Sequence, residues 1–194
     1  MKVLIACEES QEVTAAFIAL GHDTMSCDKQ YAGAKGLPHY QGDMFDIDFS
    51  RFDLIIVHPP CTHIANSGNK HYAGTQLRKD AADFIWRCWN IPCKKLAIEN
   101  PIGQVNTYLP EMPRPQIIQP YQFGHMEQKS TCLWTRNLPT LIQTDNVYDE
   151  MMKLPKSKRE KVHYMPPGSD RQRNRSRTYP GIAAAFAQQW GGAV

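Results

Sequence analysis

Short apolar runs alternate with longer amphipathic stretches along this chain, and the alternation predicts an α/β fold. The clearest runs, at 52–57 and 95–98, are brief and rich in aliphatic residues. This composition is typical of strands that are buried on both faces of a parallel sheet. The predicted strands cover residues 3–6, 22–27, 39–41, 52–57, 95–98 and 132–134.

Helical periodicity lies between and after these runs, at 10–20, 77–89 and 181–190. In the first helix the apolar residues Val13, Phe17 and Leu20 share one face, and Gly21 ends it. Because strands and helices alternate, we expect a doubly wound, mostly parallel sheet. Residues 58–74 are expected to form a loop, and the proline-rich stretch 101–125 is expected to be irregular.

Composition favours one globular domain over residues 1–194, since 42% of the residues are hydrophobic and 21% are charged. No run approaches the roughly 18 apolar residues of a membrane helix, and the first apolar run is too short for a signal peptide. The six cysteines lack metal-site spacing, and two prolines interrupt the only His and Cys cluster, at 58–71. We therefore expect no metal, no membrane contact and a reducing, cytoplasmic setting.

Positive charge is concentrated towards the C-terminal end. Residues 151–180 contain nine Lys and Arg residues against two acidic ones, while the whole chain has a net charge of +3. We predict a basic insertion or arm at about 139–180, which is either a solvated loop or a phosphate-contacting segment. A further alternative is that the arm folds against the closing helix, with Arg177 paired internally. Its candidate nucleic-acid-binding residues are Arg171, Arg173, Arg175 and Arg177.

Two predicted strand ends bring a thiol and a carboxylate to the same edge of the sheet. Pro59 and Pro60 cannot continue a central strand, so the chain turns out of the sheet and presents Cys61. Glu99 directly follows the run at 95–98. Ligands of open α/β sheets bind at this edge. Either residue alone could be a small buried side chain or a turn residue, but together they suggest a nucleophile and its acid partner.

Acidic residues also end two earlier strands. Asp28 closes the second strand, where a carboxylate typically holds the ribose hydroxyls of a nucleoside cofactor. Asp43 follows the third strand and a glycine, and could accept a hydrogen bond from an exocyclic amine. Both could equally serve as turn or N-cap residues.

In these motifs the sequence resembles the S-adenosylmethionine-dependent cytosine C5 DNA methyltransferases, especially the small versions found in bacteriophage genomes. The resemblance covers nearly the whole chain and implies a Rossmann-like class I methyltransferase fold. It also implies S-adenosyl-L-methionine as cofactor, DNA as substrate and the cytoplasm of a bacterial host as location. The positions that match its cofactor-binding motifs are Ala6, Cys7, Glu8, Glu9, Ser10, Asp28, Asp43 and Pro59.

The same resemblance implies the catalytic residues. Cys61 matches the nucleophile that adds to C6 of cytosine, and Glu99 matches the acid that acts at N3. Lys129 and Thr131 lie in the segment where the family has Gln-x-Arg-x-Arg, and they are expected to be further catalytic residues. His58 precedes the prolines where amine methyltransferases have Asp or Asn, which argues against methylation of an exocyclic amine.

Three departures from the family qualify the expected activity. The cofactor loop at 7–11 has no glycine, and Lys129-Ser130-Thr131 replaces the Arg-x-Arg segment. Only about 30 residues separate Pro139 from Gly168, too few for the family's large target-recognition domain. We therefore expect relaxed sequence specificity on DNA. Modification of a free cytosine nucleotide or RNA, and a non-catalytic relative that binds cofactor or nucleic acid, remain as alternatives.

Overall fold

The computed structural model describes residues 1–31, 36–168 and 170–192, and within these ranges it shows a seven-stranded sheet flanked by helices. The strands are β1 Lys2–Ala6, β2 Asp23–Asp28, β3 His39–Gln41, β4 Leu54–Val57, β5 Lys95–Pro101, β6 Gln116–Ile118 and β7 Thr131–Arg136. The α-helices are α1 Glu12–Ala19, α2 Asn69–Tyr72, α3 Gln76–Trp89, α4 Val105–Tyr108, α5 Tyr148–Met152, α6 Lys156–Arg159, α7 Lys161–Tyr164, α8 Arg171–Ser176 and α9 Pro180–Gly191.

The strand order is β3-β2-β1-β4-β5-β7-β6; β7 is antiparallel to both of its neighbours, β5 and β6, and the other described strand pairs are parallel. This confirms the expected Rossmann-like α/β fold with a doubly wound, mostly parallel sheet. The order reverses between β1 and β4, which pair from Val3 with Leu54 to Ala6 with Val57. Such a switch point opens a crevice at the carboxyl ends of the strands.

Hydrophobic side chains bury both faces of the central strands, which explains their continuous apolar sequences. Alternate residues of β1 and β4 face two different clusters, so that Leu4 and Ile55 belong to one and Ile5 and Ile56 to the other. Helix α3 covers the face that contains Leu4 and Ile55, whereas α1 and α9 cover the face that contains Ile5 and Ile56. The helices thereby fix the sheet and leave its carboxyl edge to the site.

The expected loop and strand boundaries need correction in three places. Strand β5 continues through Glu99 to Pro101 instead of ending before Glu99, because β7 pairs with it as far as Pro101. The proline-rich stretch includes α4 and the edge strand β6, whose partner is also β7. The loop after β4 includes the single-turn helix α2. These elements depend on pairing or packing that the local pattern does not show.

Between β7 and α9 the described residues form the four short helices α5–α8. No helix in the described ranges is long and apolar enough to cross a membrane.

Candidate active site

Two neighbouring cavities open at the carboxyl edge of the sheet, beside the switch point. One has a volume of about 760 Å³ and is lined by both Cys61 and Glu99. The other, of about 550 Å³, lies beside the loop that follows β1. His58 and Ser176 line both cavities, so the two volumes meet at these side chains.

The turn after β4 holds Cys61 in place. The side-chain amide of Asn100, on β5, donates a 2.8 Å hydrogen bond to the carbonyl of Pro59. The backbone amide of Ala65 donates to the carbonyl of Cys61 at 2.9 Å. Because these bonds tie the Pro-Pro turn to the neighbouring strand, the thiol stands at a fixed place relative to Glu99.

Glu99 is hydrogen-bonded to His58, with 2.9 Å between Oε2 and Nδ1. Both side chains are largely buried. Burial alone would raise the pKa of Glu99, but the hydrogen bond and charge of His58 outweigh it and lower that pKa. Burial would lower the pKa of His58, but Glu99 outweighs it and raises that pKa. The pair therefore favours an imidazolium bound to a carboxylate.

Burial, followed by the negative charge of Glu99, raises the pKa of the Cys61 thiol, while Lys129 and Arg175 oppose that rise. Lys129, Arg171 and Arg175 all line this cavity, and Lys129 Nζ donates to the Arg175 carbonyl at 2.8 Å. Thr131 does not line it: its side chain is buried at the start of β7, where its hydroxyl donates to the Lys129 carbonyl. The neighbouring Ser130 lines the cavity instead.

The smaller cavity brings together most of the expected cofactor-binding residues. Those that line it are Cys7, Glu8, Glu9, Ser10, Asp28 and Asp43. Ala6 is buried at the end of β1, and Pro59 lines the larger cavity, while Pro60 lines the smaller one. The apolar side of the smaller cavity includes Met44 and Phe84.

The loop after β1 forms a tight turn without glycine. Cys7 and Gln11 both have left-handed backbones, with φ of 58° and 55°. Buried side chains hold this conformation: Glu8 accepts a 2.7 Å hydrogen bond from the Val13 amide, and Gln11 Nε2 donates to Ser26 Oγ at 2.9 Å. Side-chain hydrogen bonds thus hold a left-handed turn in which glycine is the more usual residue.

Asp28 and Asp43 line the smaller cavity and also stabilise turns. Asp28 Oδ1 accepts from the Gln30 amide at 2.8 Å, and Asp43 Oδ1 accepts from the Phe45 amide at 3.0 Å. The Phe45 amide, with Lys29, keeps the pKa of Asp43 below its ordinary value. The positions of Asp28 and Asp43 are therefore compatible both with ligand binding and with a role in stabilising turns.

The four arginines of the basic segment have different surroundings. Arg173 forms an ion pair with Glu9 at 2.9 Å and lines the smaller cavity. Arg177 forms an ion pair with Glu12. Arg171 and Arg175 line the larger cavity, and Arg175 Nε is buried without a hydrogen-bond partner among the described residues.

Besides cavity-lining residues such as Met44, Phe84, Ser130 and Ser176, three residues whose hydrogen bonds fix the site were not expected: His58, Asn100 and Gln11. His58 directly precedes the Pro59-Pro60-Cys61 motif, and Asn100 directly follows Glu99. Extending each motif by one residue would have included them. Nothing in the sequence distinguishes Gln11 from an ordinary helix-start residue. No group of three or more His, Cys, Asp or Glu residues is placed to hold a metal ion in the parts of the chain that are described.

No protein-family model and no curated protein matches this sequence. Among solved structures the chain is similar to a candidate DNA modification methyltransferase encoded within an Escherichia coli prophage (14% identity, TM-score 0.47, 80% of this chain and 56% of that chain). It is also similar to a DNMT2 mutant from Spodoptera frugiperda (14%, 0.45, 75% and 54%) and to the Dnmt2 methyltransferase of S. pombe (14%, 0.48, 98% and 66%). The chain spans little more than half the length of the first two.

Proposed function

We propose that this protein transfers a methyl group to C5 of cytosine in DNA, with relaxed sequence specificity, through a covalent adduct on Cys61. The observation that supports the proposal is that Cys61 and Glu99 line one cavity. This cavity meets a second one at His58, and most of the residues expected to bind the cofactor line that second cavity. Residues 1–194 would act as one catalytic domain, with the segment at about 139–180 facing the substrate.

The residues around Cys61 suit the chemistry of C5 modification. C5 of cytosine is a poor nucleophile while the ring is aromatic. Addition of the Cys61 thiolate to C6 removes the aromaticity and makes C5 enamine-like. Glu99, as a proton donor at N3, would stabilise the charge that this addition creates. Cytosine in a duplex would have to be flipped out of the helix to reach the thiol.

S-adenosyl-L-methionine would supply the electrophilic methyl group when bound. The smaller cavity fits such a ligand by its donor set: Asp28 offers a carboxylate for ribose hydroxyls, and Asp43 offers one for an amine. Glu9 adds a further negative group for a cationic ligand, and Met44 and Phe84 offer apolar surface for an aromatic ring. Its volume of about 550 Å³ is that of an ordinary small-molecule site.

A free cytosine nucleotide is the second candidate substrate, and one observation favours it. Arg173 and Arg177 are already paired with Glu9 and Glu12, which reduces the positive charge available to follow a nucleic-acid backbone. Lys129, Arg171 and Arg175 could then bind the phosphate of a single nucleotide inside the larger cavity. RNA would use the same cavity residues.

The proposal is tested by incubation with methyl-labelled S-adenosylmethionine and a panel of duplex DNA, single-stranded DNA, RNA and dCMP. We expect label at C5 of cytosine, identified by nucleoside mass spectrometry, in at least one DNA sample. Cys61→Ser should abolish it, because a hydroxyl is a far weaker nucleophile than a thiolate. Label confined to dCMP or RNA would select the alternative substrate.

Covalent trapping separates an enzyme from a non-catalytic relative. A substrate with fluorine at C5 blocks the elimination that releases the enzyme, so a stable adduct should form on the peptide that contains Cys61. Binding of substrate and cofactor without any adduct or label would identify a binding protein without turnover. Cys88→Ser, at a buried cysteine of α3, serves as a control that should leave trapping intact.

A further inference from the structure

His58 occupies a distinctive position between the two cavities. Its Nδ1 lies 2.9 Å from Glu99 Oε2, and its side chain is only 10% exposed. Its second nitrogen, Nε2, is buried without a hydrogen-bond partner among the described residues. A buried histidine with a purely structural role usually has both nitrogens satisfied, so the unpaired atom at a cavity wall suggests a functional role.

The proposed reaction creates a need that Glu99 alone does not meet. Glu99 has to give a proton to N3, yet its hydrogen bond to His58 keeps its pKa below the ordinary value, so it rests as a carboxylate. The proton that the reaction requires lies on the other side of that hydrogen bond, on His58 Nδ1.

We propose that His58 and Glu99 share one proton, and that His58 is a positioning residue that supplies it to Glu99 when N3 of cytosine becomes basic. The inference rests on the proposed function for the identity of the acceptor. The shared proton itself depends only on the two side chains and can be measured without substrate.

The proton transfer balances within the two side chains and the base. As the thiolate electron pair of Cys61 forms the S–C6 bond, the ring's π electrons shift to N3. N3 takes a proton from Glu99, which takes the Nδ1 proton of His58 and leaves a neutral imidazole. Once C5 has acquired a methyl group, the ring is cationic, and N3 returns the proton through Glu99 to His58. Loss of the C5 proton to solvent then restores the C5–C6 double bond, breaks the S–C6 bond and releases Cys61 as a thiolate.

The charges around His58 come from several elements, and they favour the imidazolium on balance. Glu99 on β5 and Glu8 in the loop after β1 raise the pKa of His58, against burial and the positive charge of Lys129. Glu8 is held by the backbone at the start of α1, so its charge is fixed near the pair. The other titratable or charged groups that line the larger cavity are Cys61, His71, Tyr72, Arg171 and Arg175.

The shared proton is tested first by NMR titration of the His58 ring in the wild-type protein and in Glu99→Gln, without substrate. We expect a pKa above 6.5 in the wild type. In Glu99→Gln the pKa of His58 should be lower than in the wild type, because burial then acts without the carboxylate of Glu99. A His58 pKa that is the same in both proteins overturns the proposal. His163→Asn, on the exposed face of α7, helps to assign the resonances.

The second test is the pH dependence of kcat/KM for His58→Asn, with His58→Gln as a second variant; both can keep a hydrogen bond to Glu99. Without the imidazole, the fraction of Glu99 that carries a proton falls about tenfold for each pH unit above the carboxyl pKa. The alkaline limb should therefore move to lower pH, and the loss of activity should be greater at pH 8 than at pH 6. A loss of the same factor at every pH indicates a structural role and overturns the proposal.

The two tests distinguish the inference from the proposed function. If no substrate is methylated but the His58 pKa depends on Glu99, the shared proton stands and the assigned reaction fails. If methylation occurs and the His58 variants keep the wild-type pH profile, the reaction stands and the role of His58 fails.

Discussion

Arg177 and Glu12 form an ion pair that joins the segment before α9 to the first residue of α1. Arg177 Nε donates to Glu12 Oε1 at 2.8 Å, although the two residues are 165 positions apart. Arg173 and Glu9 form a second such pair. These pairs attach the basic segment to the loop after β1 and the start of α1, while Arg171 and Arg175 line the cavity of Cys61.

This division predicts different results for two double variants. Arg173→Gln with Arg177→Gln should lower the melting temperature, since each change removes the partner of a largely buried carboxylate and costs about 1–3 kcal/mol. It should leave the salt dependence of binding nearly unchanged. Arg171→Gln with Arg175→Gln should weaken nucleic-acid binding instead. The slope of log K against log salt should fall by about 0.9 per lost phosphate contact on duplex DNA and about 0.7 on single strands. Thermal denaturation measures the melting temperatures, and fluorescence anisotropy measures the salt dependence of binding. Equal changes in the two double variants would contradict the division.

Gly181 should be intolerant of a side chain. A methyl group there would overlap the carbonyl oxygen of Phe123, and α9 could not keep its place on α1. We expect Gly181→Ala to destabilise the protein by about 1–3 kcal/mol, as overpacking does. Gly168→Ala is the matched control, since a methyl group there meets nothing within 4 Å. Urea denaturation compares the two, and equal stability would show that α9 adjusts freely.

Asp28→Asn tests the carboxylate at the end of β2. The amide can still accept the hydrogen bond from the Gln30 amide, so the turn should persist while the negative charge is lost. If Asp28 binds ribose hydroxyls, affinity for S-adenosylmethionine should fall by about 1.5–3 kcal/mol, measured by calorimetry. Asp23→Asn, at the other end of the same strand, should leave affinity unchanged. An unaltered affinity in Asp28→Asn would remove that residue from the site.

The central fold could be predicted from the sequence because its strands are buried on both faces. The runs at 3–6 and 52–57 are apolar for this reason, and α3 and α9 lie where helical periodicity predicted them. The prediction was wrong where an element depends on a distant partner. β6 forms because β7 lies beside it, and β5 extends past Glu99 because β7 pairs that far.

The site could be predicted only in outline. Cys61 and Glu99 line one cavity, as their places at strand ends predicted, because the carboxyl ends of parallel strands lie at the same edge of the sheet. The contact between His58 and Glu99 could not be predicted, since residues 41 positions apart meet only through the pairing of β4 with β5. Internal pairing of Arg177 was one of the expected alternatives, but its partner Glu12 could not be predicted, because the contact requires α9 to pack on α1.

The contribution of the His58–Glu99 pair to stability should depend on pH. The pKa of His58 is raised in the folded protein, so its contribution is complete below 6.5 and is lost as pH rises through the raised value. The pKa of Glu99 is lowered, so its contribution is complete above 4.5 and is lost as pH falls through the lowered value. The stability difference between wild type and His58→Asn should therefore be largest between pH 4.5 and 6.5. A difference independent of pH would mean that the pair is not ionised.

The reactivity of Cys61 should depend on the charges beside it. Burial and the carboxylate of Glu99 raise the pKa of its thiol, whereas Lys129 lowers it. Glu99→Gln should therefore lower the thiol pKa and speed alkylation by iodoacetamide at neutral pH, because more thiolate is present. Lys129→Gln should have the opposite effect, and Asp80→Asn, which removes an exposed carboxylate of α3, should have none. Mass spectrometry of the peptide containing Cys61 gives the rate over a pH series. If Glu99→Gln left that rate unchanged, Glu99 would not control the thiol, and the two residues would not act as one site.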